Sequence, residues 1–177
     1  MLPMVRTAKQ DVIVFPKFLT RELAAIVVNR LYLEISGGAS YLSQMIPDGE
    51  LDEGFHVSIS VPCRWNGIPA RAMLYERSFG DVSGKWRYPY HAIAQSKNRQ
   101  MAEEQSDGAS ISPHLLFPGD TPYWGGIEVE RVIVTCSGFK EPADREASCW
   151  VANKFIALAR EAWEASDDKK NEVNFLT

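Results

Sequence analysis

Cationic excess is the first thing this chain lacks. Nineteen Lys and Arg stand against 23 Asp and Glu, a formal net charge of −4. Covering a phosphate backbone needs a basic surplus, so no nucleic-acid partner is expected. Cysteine is sparse as well. Cys63, Cys136 and Cys149 are odd in number and form no C-x-x-C pair, which removes the usual zinc and redox motifs and reads as reduced thiols in a cytoplasmic protein; pairing of two of them stays open. The only imidazoles are His56, His91 and His114, no two of them three or four residues apart, so no local metal motif exists and no metal is expected. No apolar run approaches the ~20 residues that span a bilayer, so no membrane partner is expected. The start Met1-Leu2-Pro3-Met4-Val5-Arg6 has no apolar leader core. Phosphate-loop and dinucleotide fingerprints are missing. So is a G-x-S-x-G elbow, and Ser137 has no obvious His and acid partners.

What is present suits one domain. The 177 residues are 45% hydrophobic and 24% charged, enough for a sizeable core in a single globular unit. Residues 1–10 read as a loose arm, and Val12–Phe15 as an edge strand or an extended segment packed over the core, interrupted by Pro16. Thr20 is a good N-cap, with Glu22 in the first turn. Leu23, Val27, Leu31 and Ile35, with Ile26 beside them, predict a buried helical stripe that Gly37-Gly38 ends. Residues 39–54, with Pro47-Asp48-Gly49, read as a long surface loop with a helical turn at 41–45. Phe55, Val57, Ile59 and Val61 then alternate with His56, Ser58 and Ser60, the pattern of a half-buried strand. Asn66-Gly67 marks a turn, and Ile68, Ala70, Ala72 and Leu74 alternate onward, predicting an antiparallel hairpin. A loop rich in Gly, aromatic and basic residues (Gly80, Gly84, Lys85, Trp86, Arg87, Tyr88, Tyr90) leads to a helix over about 89–105. Ile93, Ala94, Lys97, Met101 and Ala102 mark its inner side, so Lys97 falls on an apolar stripe. Pro113, Pro118 and Pro122 break up 109–123, where His114–Phe117 reads as a short strand or loop. A last helix is predicted over about 142–165, with Ala147, Val151, Phe155, Leu158 and Ala162 inward. Asp144 is read there as one of several acids complementing the helix dipole.

The stretch around which the rest is arranged is Trp124–Gly138. It opens on Gly125-Gly126, runs through β-branched residues and leaves by Ser137-Gly138. Ile127 and Val129 keep one phase; Val132, Val134 and Cys136 keep the other. The slip predicts a tight turn or bulge at Glu130-Arg131, or else one strand buried on both faces.

Three of these places resemble one family. Val57–Val61, Ser96–Ala102 and Gly125–Gly138 with Asp144 are similar to the first strand, the "K-A-x-T-A" helix and the "G-G-x-P…V-S-G…D" segment of GlcG/HbpS-like proteins, which include the C-terminal domain of PduO-type proteins. The likeness spans residues 18–162. It departs at Glu128, where the family has Pro, and near Thr135, where it has Gly. The resemblance implies an α+β fold of profilin-like α-β-α type, an antiparallel sheet flanked by helices, assembled as a homo-oligomer. It also implies a small-molecule ligand, with haem among the cofactors some members bind.

Candidate sites carry two readings each. Gly125-Gly126 and Ser137-Gly138 would either line an anion pocket with backbone amides or simply form tight turns. Lys97 would bind a carboxylate or act as an amine nucleophile, which makes it the one catalytic candidate; otherwise it is a stem snorkelling to water. His91, beside Trp86, Tyr88 and Tyr90, and His114, near Trp124 and the Gly pair, are the better-placed imidazoles for a haem iron. Lys85-Trp86-Arg87-Tyr88 would cover a flat ligand or, as the preferred reading, plug an oligomer interface. Cys136 reads as an inert buried thiol, Glu128 and Glu130 as solvent-facing. Three functions remain: a small-molecule-binding protein taking haem or a small organic acid, an enzyme of a catabolic pathway acting on a small organic acid or aromatic intermediate, and an accessory subunit without ligand.

Overall fold

The computed structural model of the protein describes residues 11–46, 50–80 and 86–176. The expected arm at 1–10, the Pro47-Asp48-Gly49 turn, and Gly84 and Lys85 of the aromatic-basic loop lie outside the described residues.

The elements run β1 (Ile13–Val14), α1 (Arg21–Ser36), α2 (Tyr41–Gln44), α3 (Glu50–Glu53), β2 (Phe55–Trp65), β3 (Ile68–Phe79), α4 (Tyr90–Ala102), β4 (Gly126–Val129), β5 (Val132–Ser137), α5 (Glu141–Ala165) and α6 (Asp167–Lys170). This is the expected α+β class, one antiparallel sheet with helices on both faces. β3 lies along one edge of β2; β5, then β4, lie on the other, where β1 also adds a short pairing at Arg64 and Trp65.

Local chemistry explains most boundaries. Thr20 Oγ1 accepts from the Leu23 amide and caps α1, and Gly37 ends it, with Gly38 at φ +71°. The inward face of α1 is Ala24, Val27, Val28, Leu31 and Ile35. Ile26, expected beside that stripe, is exposed, because the 100° step per residue carries it past the edge of the contact face. The loop expected over 39–54 contains two short helices rather than one turn, with Ser40 capping α2.

The 55–79 hairpin turns at Asn66-Gly67, both at positive φ. Its second strand carries a bulge the sequence pattern did not reveal. Ile59 faces Tyr75 but Ser60 faces Met73, so Leu74 is the surplus residue. The core-side phase therefore shifts from Ala70 and Ala72 to Tyr75 and Phe79, with Leu74 itself buried at the bulge. Glu130 and Arg131, both at positive φ (48° and 71°), make the two-residue turn between β4 and β5 that the phase slip announced. This backbone favours Gly or Asn. Here the Arg71 guanidinium donates to the Arg131 carbonyl, and Arg160 pairs with Glu130.

Two helices, α1 and α5, cover one sheet face. Phe55, Val57, Ile59, Val61, Val132, Val134 and Cys136 meet Val27, Leu31, Ala147, Val151 and Phe155 there in one apolar core. Helix α4 covers the other face, across β2 and β5. That face departs from expectation. His56, Ser58 and Ser60, predicted to alternate outward, are buried, as are Thr135 and Ser137 opposite them. Periodicity reports polarity, and a helix laid over polar side chains buries them without changing the pattern.

At the periphery, Val12, Ile13, Val14, Trp65 and Ile68 are exposed together near the hairpin turn. The first three therefore do not pack over the core as the extended-segment reading had it. His114 lies in a 3-10 turn (Pro113–Leu115), not a strand. Among the described residues no helix is long and apolar enough to cross a membrane.

Candidate functional site

Lys97 points from α4 past the start of β4 toward α5 on the opposite side of the sheet. Its ammonium donates to Asp144 Oδ2 at 2.8 Å and to the Cys136 carbonyl at 2.9 Å. Lys97 is 4% exposed and Asp144 2%. The snorkelling reading of Lys97 is therefore overturned: its charge ends on a buried acid, not in water. Asp144, read from sequence as one of the acids complementing the helix dipole, is that partner. Its other oxygen accepts from the Phe139 amide at 3.1 Å, which ties the entry into α5. One carboxylate thus joins α4, the β5 exit and α5.

The Gly pair makes room for this crossing. A Cβ built on Gly125 would stand 2.6 Å from Asp144 Cβ and 3.3 Å from Lys97 Nζ, and the residue has φ +119°. On Gly126 a Cβ would meet Met101 Sδ and Thr135 Cγ2 at 2.7 Å. Glycine is needed at both places because backbone comes within side-chain distance of packed groups. The amides of the pair are not free for an anion. Both donate to the Gly108 carbonyl, at 3.2 and 3.1 Å, so the amide-lined wall read into Gly125-Gly126 is replaced by a close-packed backbone crossing. Gly138, at φ +149°, is held against Phe55 and the Gly54 carbonyl in the same manner.

A cavity of about 270 Å³ opens beside the ion pair. Lys97, Ile93 and Tyr90 of α4 form one wall; Ser137, Gly138 and the start of α5 with Asp144 form another. Arg87, Tyr88, Tyr123, Lys140, Glu53 and Glu141 stand around it. The sequence-derived residues thus divide. Lys97, Ser137 and Gly138 line the cavity, and Gly125 abuts Lys97 from behind. Trp124, Gly126, His91 and His114 are not among the lining residues. His91 is exposed, its ring beside those of Trp86 and His56. His114 is exposed in its 3-10 turn. Neither imidazole reaches the cavity wall. The aromatic-basic loop contributes Arg87, whose guanidinium sits 5.5 Å from the Tyr88 ring centre, and Tyr88 itself. The loop thus borders the cavity.

The electrostatics follow from burial. Desolvation pushes the Asp144 carboxyl up to about 7, with the Lys97 charge pulling the other way. Tyr90 donates to Glu53 Oε2 at 2.9 Å; burial first, then that acid, push its phenol up to about 12. Burial raises the Cys136 thiol well above its usual range, an inert group as expected. His56 accepts or donates at Nδ1 with Ser78 at 2.7 Å, and burial holds it neutral, down to about 4. Among the described residues its Nε2 and the Ser58 and Ser60 hydroxyls have no partner. Among the described residues no group of three His, Cys, Asp or Glu is placed to hold a metal ion.

Sequence reasoning missed Asp144, Tyr123, Glu53 and Lys140 as wall residues. Asp144 left a faint signal: an acid three to four residues into a helix, after a Ser-Gly exit, opposite a Lys on an apolar stripe. The others come together only through the fold. Compared with protein-family models, curated proteins and solved structures, the chain matches none.

Proposed function

We propose that the chain is a small-molecule-binding protein whose site is the cavity between α4, the loop before it and the start of α5. The observation that carries this reading is the buried Lys97–Asp144 pair in the cavity wall. A buried ion pair is weak as a stabilising device, because desolvating two charges offsets most of their attraction. A pair of this kind beside a cavity, with a carboxyl displaced from its ordinary range, is the usual mark of a functional site.

The ligand class follows from size and lining. A volume of about 270 Å³ falls just below the range of about 300–1,000 Å³ typical of drug-sized ligand pockets. A small organic acid fits this better than haem, for which no His stands in the wall. Arg87 and Lys140 offer cations to a carboxylate, set against Glu50, Glu53 and Glu141 on the same walls, and Tyr88, Tyr123, Ile93 and Phe139 offer apolar surface to the remainder.

The reading is tested by native mass spectrometry of freshly isolated protein and by ligand-detected NMR with pyruvate, succinate, benzoate and phenylpyruvate. Saturable binding of at least one acid, weakened tenfold or more in Arg87→Ala or Tyr88→Ala, is expected. No retained small molecule and no binding of any of the four acids at millimolar concentration overturns it. So does binding that both variants leave untouched.

A further inference from the structure

Resting on that reading, we propose that the cavity is catalytic. It performs cofactor-free proton transfer on a small 2-oxo acid, interconverting keto and enol forms, with Asp144 as the proton carrier and Lys97 holding the oxygen that gains charge.

The geometry sets donor and acceptor side by side. Asp144 Oδ2 and Lys97 Nζ are 2.8 Å apart, and both residues line the cavity. In a 2-oxo acid the acidic C3–H and the C2 carbonyl oxygen are also neighbours, so one substrate can meet both groups. The Asp144 carboxylate takes a proton from C3. The C3–H electron pair forms the C2–C3 double bond, and the carbonyl π pair moves to oxygen. The proton then returns to that oxygen, giving the enol, or to C3, regenerating the ketone. Nothing is oxidised or reduced, and no co-reactant is needed.

Charge conservation favours the step in this setting. Asp144 starts negative beside the Lys97 ammonium. As it is neutralised, the negative charge reappears on the substrate oxygen, next to the same ammonium. The buried site never acquires an unpaired charge, which a water-poor interior penalises heavily. Preorganised donors of this kind stabilise the charge that develops in the transition state. Burial also holds the Asp144 carboxyl at about 7, so both protonation states are populated near neutrality, as a base that must give its proton back requires. Arg87 and Lys140, on the same cavity, would hold the substrate carboxylate away from the reacting carbon.

The test follows loss of the C3 proton signal of pyruvate, 2-oxobutyrate and phenylpyruvate in D2O by NMR, with the full chain. At least one probe should exchange ten times faster than in buffer with heat-denatured protein. The rate should rise with pH through about 7 as one group loses its proton. Asp144→Asn should return exchange to the background rate, because it removes the general base. Because that variant leaves Lys97 buried beside a neutral group, the double variant Lys97→Met/Asp144→Leu is measured as well, its fold checked by circular dichroism. Exchange surviving in the folded double variant overturns the proposal. Binding of a probe without faster exchange also overturns it and leaves the binding reading standing. Absence of binding of all three probes overturns the proposal too, while the binding reading is decided by the four acids named for it.

Discussion

The two faces of this sheet are built from opposite materials. Toward α1 and α5 the strands present Phe55, Val57, Ile59, Val61, Val132, Val134 and Cys136, and the helices answer with aliphatic and aromatic groups. Toward α4 the same two strands present His56, Ser58, Ser60, Thr135 and Ser137, and the helix answers with Lys97, Asn98 and Gln100. On the first face the attraction is removal of apolar area from water, which tolerates any well-packed shape. On the second, each polar atom needs its own partner. Asn98 reaches the Ser58 and Ile133 carbonyls, Thr135 reaches the Ala94 carbonyl, and Gln100 reaches the Thr121 carbonyl. The lesson is a division of labour: one face holds the fold, and the other holds a cavity and its charged pair in a fixed place.

The sharpest contrast comes from truncating the apolar face. Phe155→Ala removes a fully buried ring from the core and should cost about 3–5 kcal/mol, read as a lower urea midpoint. On the polar face the largest loss should come from Asp144→Ala. It strands a buried ammonium and should cost about 3 kcal/mol, the low end for a broken buried pair, because Lys97 keeps the Cys136 carbonyl and adjoins the cavity. The double variant Lys97→Met/Asp144→Leu should return to within about 1 kcal/mol of the parent. If the double variant is as unstable as the single one, the pair is structural and the contrast between the faces fails.

The two faces should also differ in pH response. Folding raises the Asp144 carboxyl from its ordinary 3.8 to about 7. Between those values the folded chain binds more protons than the unfolded one, so this group's contribution to stability declines as pH rises from about 4 to 7 and is level outside that window. Asp144→Asn should remove that part of the slope in denaturation curves taken at pH 4.5 and 7.5, whereas Phe155→Ala should leave it in place. The smallest effect has the opposite sign. Ser58 Oγ is buried without a partner among the described residues, so Ser58→Ala should raise stability by about 1 kcal/mol. A loss of similar size in thermal melts would mean that the hydroxyl is bonded and the face is better satisfied than its side chains suggest.

Much of the apolar face was legible in the sequence, because burial there leaves a period. Thr20, the Leu31–Ile35 stripe, the alternation from Phe55 to Val61 and the phase slip at Glu130-Arg131 each describe a local rule that the fold obeys. Lys97 was legible as an anomaly on an inward stripe. The polar face was not. Ser58 and Ser60 look the same in sequence whether water or a helix lies over them. Asp144 looked like an ordinary helix-start acid, since its partner lies 47 residues away in the chain. The Gly pair announced close approach but not to what. Only the meeting of three elements shows that Gly125 clears a passage for Lys97 and that its amide is already spent on Gly108. The Leu74 bulge was hidden because one surplus residue leaves a strand-like composition intact.

The carbonyl of Gly108, which receives two amides from Gly125 and Gly126, has a bearing on how this molecule can change over generations. The segment between leaves and rejoins at that oxygen, like a purse drawn at its neck, with Asp120 and Thr121 also bonded to Arg99 and Gln100 of α4. Its outermost stretch, Phe117-Pro118-Gly119, is exposed, and doubling the length of such a closed segment costs only about 0.6 kcal/mol in chain entropy. Insertions at that tip would leave the drawstring tied, so new specificity could be tried out there while the charged pair behind Gly125 stays where it is.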